Sequence, residues 1–159
     1  MSEKRNVVLQ YIIFSDDAQL IESKLLLLGI VNNIWTPRTP VVVPALSICL
    51  GVLLSAHPDT TTHVLAVDII NPNRTHDKRQ LPLELPSIER SGMHNHLMQF
   101  QNNAFEFFGD YTYQFKLGGI ALTWLISVVQ MDTPLIPKLI TPRGVGSDLG
   151  HDRIPRRGW

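Results

Sequence analysis

The chain has 159 residues, 44% of them hydrophobic, with 14 basic and 14 acidic side chains and a formal net charge of zero. A chain of this length buries enough surface to fold around one core without staples, and its balanced charge offers no overall field to a polyanion or a membrane surface, so neither nucleic acid nor membrane is an expected partner. The single cysteine, Cys49, excludes an intrachain disulfide and a Cys-based zinc site and fits a reducing compartment, with the cytoplasm as the default.

In chain order, the first apolar run, from Val7 to Phe14, is rich in β-branched and aromatic residues, and "DD" at Asp16 and Asp17 separates it from "KLLLLG" at Lys24 to Gly29. Two readings compete. One is a helix capped by Asp16, with Gln19 completing a capping box, Ile21, Leu25 and Leu28 on one face and Gly29 as terminator. The other is a hairpin of two strands, Val7 to Ile21 and Lys24 to Trp35, joined at Glu22 and Ser23, with Asp16 and Asp17 at a bend or bulge partway along the first. The β-branched and aromatic flanks favour the hairpin.

The tract Val41–Leu54 is the longest apolar one, about 14 residues interrupted by Pro44, whereas a spanning helix needs roughly 20. It is expected to be core. From Leu46, the residues Ile48, Leu50, Val52 and Leu54 fall on one face, with Ser47, Cys49, Gly51 and Ser55 mostly opposite, the period of a strand. His63, Leu65, Val67 and Ile69 alternate in a second strand after the turn at Pro58 and Asp59, and Asn71 to Lys78 is turn chemistry. Asn73–Thr75 matches a glycosylation acceptor only formally, since the N-terminus reads as mature, without a secretion signal. Leu81, Leu83 and Leu85 alternate around Pro82, which confines that strand to an edge. A short strand is expected at Leu97 to Phe100.

The clearest pattern follows. Tyr111, Tyr113, Phe115 and Leu117 share one face, Gly118 and Gly119 suit a primed two-residue turn, and Ile120, Leu122, Trp124, Ile126 and Val128 alternate again. Several short strands without alternating helices indicate an all-β sandwich or barrel. The expected organisation is an immunoglobulin-like antiparallel β-sandwich of seven to nine strands over residues 5–131, followed by an irregular extension over residues 132–159.

Asp16, Ala18, Lys24, Leu25, Leu28 and Gly29, then Trp35, Pro37 and Pro40, then Gly109 and Tyr111 follow in the order seen in an uncharacterised bacterial domain-of-unknown-function family of small β-sandwich proteins. The chain resembles that family over roughly residues 8–130. The resemblance implies a fold and not an activity. Gly109 and Tyr111 also resemble the tyrosine corner of immunoglobulin-like sandwiches, in which the hydroxyl ties back to the preceding loop. Tyr113 stands where antibody domains carry their second cysteine.

Candidate chemistry is sparse. Neighbouring residues of a strand face opposite ways, so Asp16 and Asp17 do not converge on one metal or substrate atom without a bulge. His94 and His96 share a face at i and i+2, and a zinc or copper site would need a third ligand such as His76 or Glu89. No nucleophile elbow, P-loop or dinucleotide fingerprint occurs, and Cys49 lies in an apolar run where a thiol is usually inert. No cofactor, metal or catalytic group is expected.

The C-terminal stretch has a different composition: Pro134, Pro137, Pro142 and Pro155 disfavour regular structure, and Lys138, Arg143, Arg153, Arg156 and Arg157 outnumber Asp148 and Asp152. Ile136, Leu139, Ile140, Ile154 and the terminal Trp159 are candidate anchors, with Arg143, Arg156 and Arg157 at the rim. The expected role is a non-catalytic protein-interaction or assembly module, cytoplasmic or within an assembled particle, that binds a protein or forms a homo-oligomer. A structural protein of a virion or other large assembly, its tail wrapped around a partner, and a small metal-dependent hydrolase built on His94 and His96 are the alternatives. Gly29, Gly109, Tyr111, Gly118 and Gly119 are read as structural.

Overall fold

A computed structural model describes residues 5–22 and 24–132. Nine strands follow one another: β1 (Val7–Ile21), β2 (Lys24–Ile30), β3 (Asn33–Thr36), β4 (Val41–Leu54), β5 (Thr61–Ile70), β6 (His76–Leu85), β7 (Gly92–Phe105), β8 (Gly109–Leu117) and β9 (Ile120–Gln130). They form a four-stranded sheet, β2-β1-β4-β7, and a five-stranded sheet, β3-β9-β8-β5-β6. The molecule is a β-sandwich, because each sheet has one apolar face and the two faces bury each other.

Period-two alternation sets that core. Leu46, Ile48, Leu50, Val52 and Leu54 of β4 face Leu65, Val67, Leu83, Leu85, Phe115 and Ile126 of the other sheet, all of them buried. Phe14 is fully buried, with its ring 4.8 Å from Tyr113, 5.8 Å from Trp124 and 5.9 Å from Phe115. Gly118 and Gly119, at φ 59° and 87°, make the primed turn between β8 and β9, whose register runs from Leu117↔Ile120 to Gly109↔Val128.

Several expectations are corrected. The second strand of the opening hairpin ends at Ile30 and not Trp35. The chain then crosses to the other sheet, where β3 pairs with β9 in parallel, so the sandwich is not wholly antiparallel. Trp124 secures the crossing by donating its indole N–H to the Val31 carbonyl at 2.9 Å. The extra residue of β1 lies at Gln10, where the β4 register shifts between Leu9 and Tyr11. The β2 register is unchanged across Asp16 and Asp17, so nothing is inserted there, and the helix alternative falls. β6 starts at His76, which shortens the expected turn to Asn71–Thr75. β7 extends over 14 residues instead of the short strand expected at Leu97 to Phe100.

β4 begins at Val41 and carries Pro44 within it, opposite Asn102, which has φ 51°. Proline offers no N–H to the ladder, and the Asn103 amide fills part of the gap by donating to the carbonyls of Phe100 at 2.7 Å and Val43 at 3.4 Å. Buried positions switch parity on passing this point, from Leu46 and Phe100 to Phe105. The two strands turn together, and the sandwich stays closed at that end.

Candidate functional site

β1 serves two neighbours in succession. It pairs with β4 as far as Ser15↔Ser47 and with β2 from Ser15↔Ile30 to Ile21↔Lys24. Beyond Ser15, among the described residues, the β1–β2 hairpin therefore has no third strand beside β1, and it forms a two-stranded arm rooted in the sandwich at Phe14. The Val31 N–H closes the root by donating to the Phe14 carbonyl at 2.9 Å.

Residues opposite each other in an antiparallel pair share a face. On one face of the arm, Leu26, Leu28 and Ile30 lie beside Gln19, Asp17 and Ser15. These partners are polar, so the leucines find no apolar cover within the hairpin. Leu20, Ile21, Leu26, Leu28 and Ile30 remain 43 to 57% exposed. Because Ser15 pairs with both Ile30 and Ser47, this face continues onto the outer surface of the four-stranded sheet. There Tyr11 lies flat across Gly51, where an added Cβ would fall 2.1 Å from the ring, and its hydroxyl donates to the Asn95 side chain. Leu53 and Met93 extend the same outer surface and are exposed.

Four strands border the two sheets, and three of them are blunted against further pairing in ways typical of protein edges. β3 has only four residues, followed by Pro37 and Pro40. β6 carries Pro82 and the charged Asp77, Lys78, Arg79 and Glu84. β7 carries a left-handed residue, Asn102, and a run of amides and histidines. β2, "KLLLLGI", has Lys24 at its tip and the left-handed Gly29 near its root, with four leucines between them, and its far edge is unpaired among the described residues.

The carboxylates of the arm do not form a site. Asp17 accepts from the Ala18 N–H and the Gln19 amide, both at 2.9 Å. Asp16 turns the other way and lies over Gly29, where a Cβ would meet its carboxylate oxygen at 2.2 Å. Gly29 also has φ 64°, so a side chain there would be both clashing and strained.

His94 and His96 face the gap between the sheets, opposite Val52 and Leu50 in the β4 register, with ring centroids 6.2 Å apart. Burial lowers the pKa of both, Arg5 lowers that of His94 further and His94 that of His96. Arg5 is itself buried and donates to the Ser55 and Leu85 carbonyls and to Thr61. A guanidinium beside His94 disfavours a cation there. His76 is engaged elsewhere, at 2.9 Å from Asp68. Among the described residues no three His, Cys, Asp or Glu side chains are placed to hold a metal. Cys49 is fully buried, and burial raises its pKa.

Tyr111 is 3% exposed. Its hydroxyl accepts from the Phe107 N–H at 2.9 Å and donates to the Phe107 carbonyl at 3.2 Å, an anchor for the loop ahead of Gly109. The candidate anchors Ile136, Leu139, Ile140, Arg143, Ile154, Arg156, Arg157 and Trp159 lie outside the described residues. The sequence reading did not single out Leu20, Ile21, Leu26, Leu28 and Ile30 as a site. The available signal was polar Ser15, Asp17 and Gln19 on the strand opposite Ile30, Leu28 and Leu26, which leaves one side of the hairpin with few apolar partners.

A family of unknown function, DUF6941, matches residues 10–125. The chain belongs to that family. The DUF6941 match takes in the arm and most of both sheets and stops short of the C-terminal extension. No curated protein matches the sequence. No helix among the described residues is long and apolar enough to cross a membrane.

Proposed function

We propose that the protein is a non-catalytic interaction or assembly module whose β1–β2 arm is its docking surface. The observation that carries this reading is the exposure of five large aliphatic side chains on a hairpin that folds away from its own core. Four of them, Ile21, Leu26, Leu28 and Ile30, share one face and present on the order of 400 Å² of apolar surface, within the range of the largest patches on soluble monomers, which are often functional; Leu20 lies on the opposite face. We also read the sandwich as immunoglobulin-like, which the Tyr111 anchor supports. Residues 133–159 enter the proposal as a second contact element, on their composition alone.

The test is cross-linking in the native host, with wild-type protein compared with a Leu28→Lys, Ile30→Lys variant of unchanged melting temperature. Proteins joined to the wild type and missing from the variant, further copies of the chain included, support the reading. An identical set from both contradicts it. Truncation after Asp132 tests the extension: loss of assembly with the melting temperature kept supports its role, and unchanged assembly removes it.

A further inference from the structure

β6 and β7 are edge strands of the two sheets, and they border the same side of the sandwich, because the Arg79 guanidinium of β6 lies 5.6 Å from the centre of the Phe100 ring of β7. Where β7 bends at Asn102, the two edges flank a cleft of about 290 Å³, at the small end of ligand sites. Asp77 and Arg79 line it from β6, Asn103 from β7, and Tyr113 from β8.

Tyr113 is 3% exposed, with its ring centroid 4.8 Å from that of Phe14. Its hydroxyl, unlike that of Tyr111, has no hydrogen-bond partner among the described residues. Buried hydroxyls are ordinarily bonded, and this one belongs to a side chain that lines the cleft. Burial raises its pKa; Arg79 lowers it, and Tyr111 and Asp77 raise it. The hydroxyl therefore keeps its proton, and both members of the Asp77–Arg79 pair are near enough to act on it. That pair leaves a further acceptor and donor. Arg79 donates from Nε at 3.0 Å and from Nη2 at 2.6 Å, both to Asp77 Oδ2, so Asp77 Oδ1 and Arg79 Nη1 have no partner among the described residues. From β7, the Asn103 amide nitrogen is engaged with backbone carbonyls, which leaves its oxygen to accept.

We propose that this cleft binds a neutral polyhydroxylated ligand, a single sugar unit, with Tyr113 bonding one hydroxyl and the Asp77–Arg79 pair holding two adjacent ones. A hydroxyl both donates and accepts, so neighbouring hydroxyls of a sugar ring can donate to Asp77 Oδ1 and accept from Arg79 Nη1. The charges of the lining select against ions: Asp77 and Glu106 oppose an anion, and Arg79 opposes a cation. An apolar ligand would desolvate the ion pair and the hydroxyl without replacing their bonds. The cleft lies at the β7 edge of its sheet and the arm at the β2 edge, so this site stands independently of the docking reading.

The experiment follows the amide resonances of the isotopically labelled full chain during titration with glucose, galactose, mannose and N-acetylglucosamine, each to about 100 mM, a range that reaches millimolar dissociation. Sodium phosphate and ammonium chloride are titrated in the same way. We expect at least one sugar to shift the amides of Asp77, Arg79, Asn103 and Tyr113 saturably. Tyr113→Phe should keep or raise the melting temperature and weaken that binding about three- to tenfold, as loss of one neutral hydrogen bond does. Asp77→Ala, at an exposed position, should weaken it as well. A linear tetramer of the sugar that binds then separates two supporting outcomes: tighter binding than the monosaccharide assigns the ligand to a chain, and equal binding to the free sugar. No saturable shift at these amides with any of the sugars overturns the proposal, as does phosphate or ammonium shifting them in place of the sugars. A sugar bound equally by the wild type and both variants overturns it too. So does a Tyr113→Phe melting temperature as far below wild type as that of Tyr111→Phe, because the hydroxyl would then have its partner within the protein.

Discussion

The two halves of β1 differ in what their apolar residues do. From Val7 to Phe14 the strand lies beside β4 and buries Val7, Leu9, Ile12 and Phe14 against the opposite sheet. From Asp16 to Ile21 it has β2 alone for a paired neighbour among the described residues, and Leu20 and Ile21 are exposed. Similar side chains hold the fold together in the first half and leave an open surface in the second. The edges repeat the contrast, since β6 is protected by proline and charge and β2 is not. Exposed apolar surface outside the monomer's core is informative because another molecule can cover it.

Substitutions graded along this contrast should give graded effects. The largest belongs to the root of the arm: Phe14→Ala should cost about 3–5 kcal/mol, as removal of a fully buried aromatic ring does, read as a fall in denaturation midpoint. A cost below about 1 kcal/mol would show that the arm's root is not part of the core. Next is Gly51→Ala, which drives a methyl into the Tyr11 ring and should cost about 1–3 kcal/mol as Tyr11 moves off the sheet. Tyr111→Phe removes the bonds to Phe107 and should cost about 1 kcal/mol; an unchanged midpoint would end its role as an anchor.

The pH dependence is smaller and its sign is fixed by His94 and His96. Both are held below the ordinary imidazole value of about 6.5 in the folded protein, so the unfolded chain binds more protons as pH falls. Stability should therefore decline from about pH 7 down through that value and level off below the folded pKa of each ring. Denaturation of a His94→Gln, His96→Gln variant should show a flatter profile over that range, and an equal slope in both proteins would assign it to other groups. The smallest effect is Leu28→Lys, expected within about 0.5 kcal/mol of wild type because the side chain is exposed.

Much of the fold was readable because its signals are local. The β8–β9 hairpin combines strict alternation with Gly118–Gly119, and the β-branched and aromatic run before Asp16 pointed to strand over helix. β7 hid its length, because His94, His96 and Met98 occupy inward positions at an open edge and do not read as core. The crossing of β3 to β9 depends on a pairing between residues some ninety positions apart, which no local pattern encodes. Pro44 concealed the start of β4 for the opposite reason, since a proline inside a strand argues against it until its partner, Asn102, is seen to bend with it. The arm was legible as a hairpin and not as a site. Leucine-rich strands ordinarily mark a core, and here Leu26 and Leu28 lie beside Gln19 and Asp17 on a face left exposed among the described residues.

The most direct measurement is binding of an apolar fluorescent dye to the full chain and to its Leu28→Lys, Ile30→Lys variant. The account expects the wild type to bind the dye through the exposed face of the arm and the variant, with its melting temperature kept, to bind markedly less. Equal dye binding by the two proteins would contradict it.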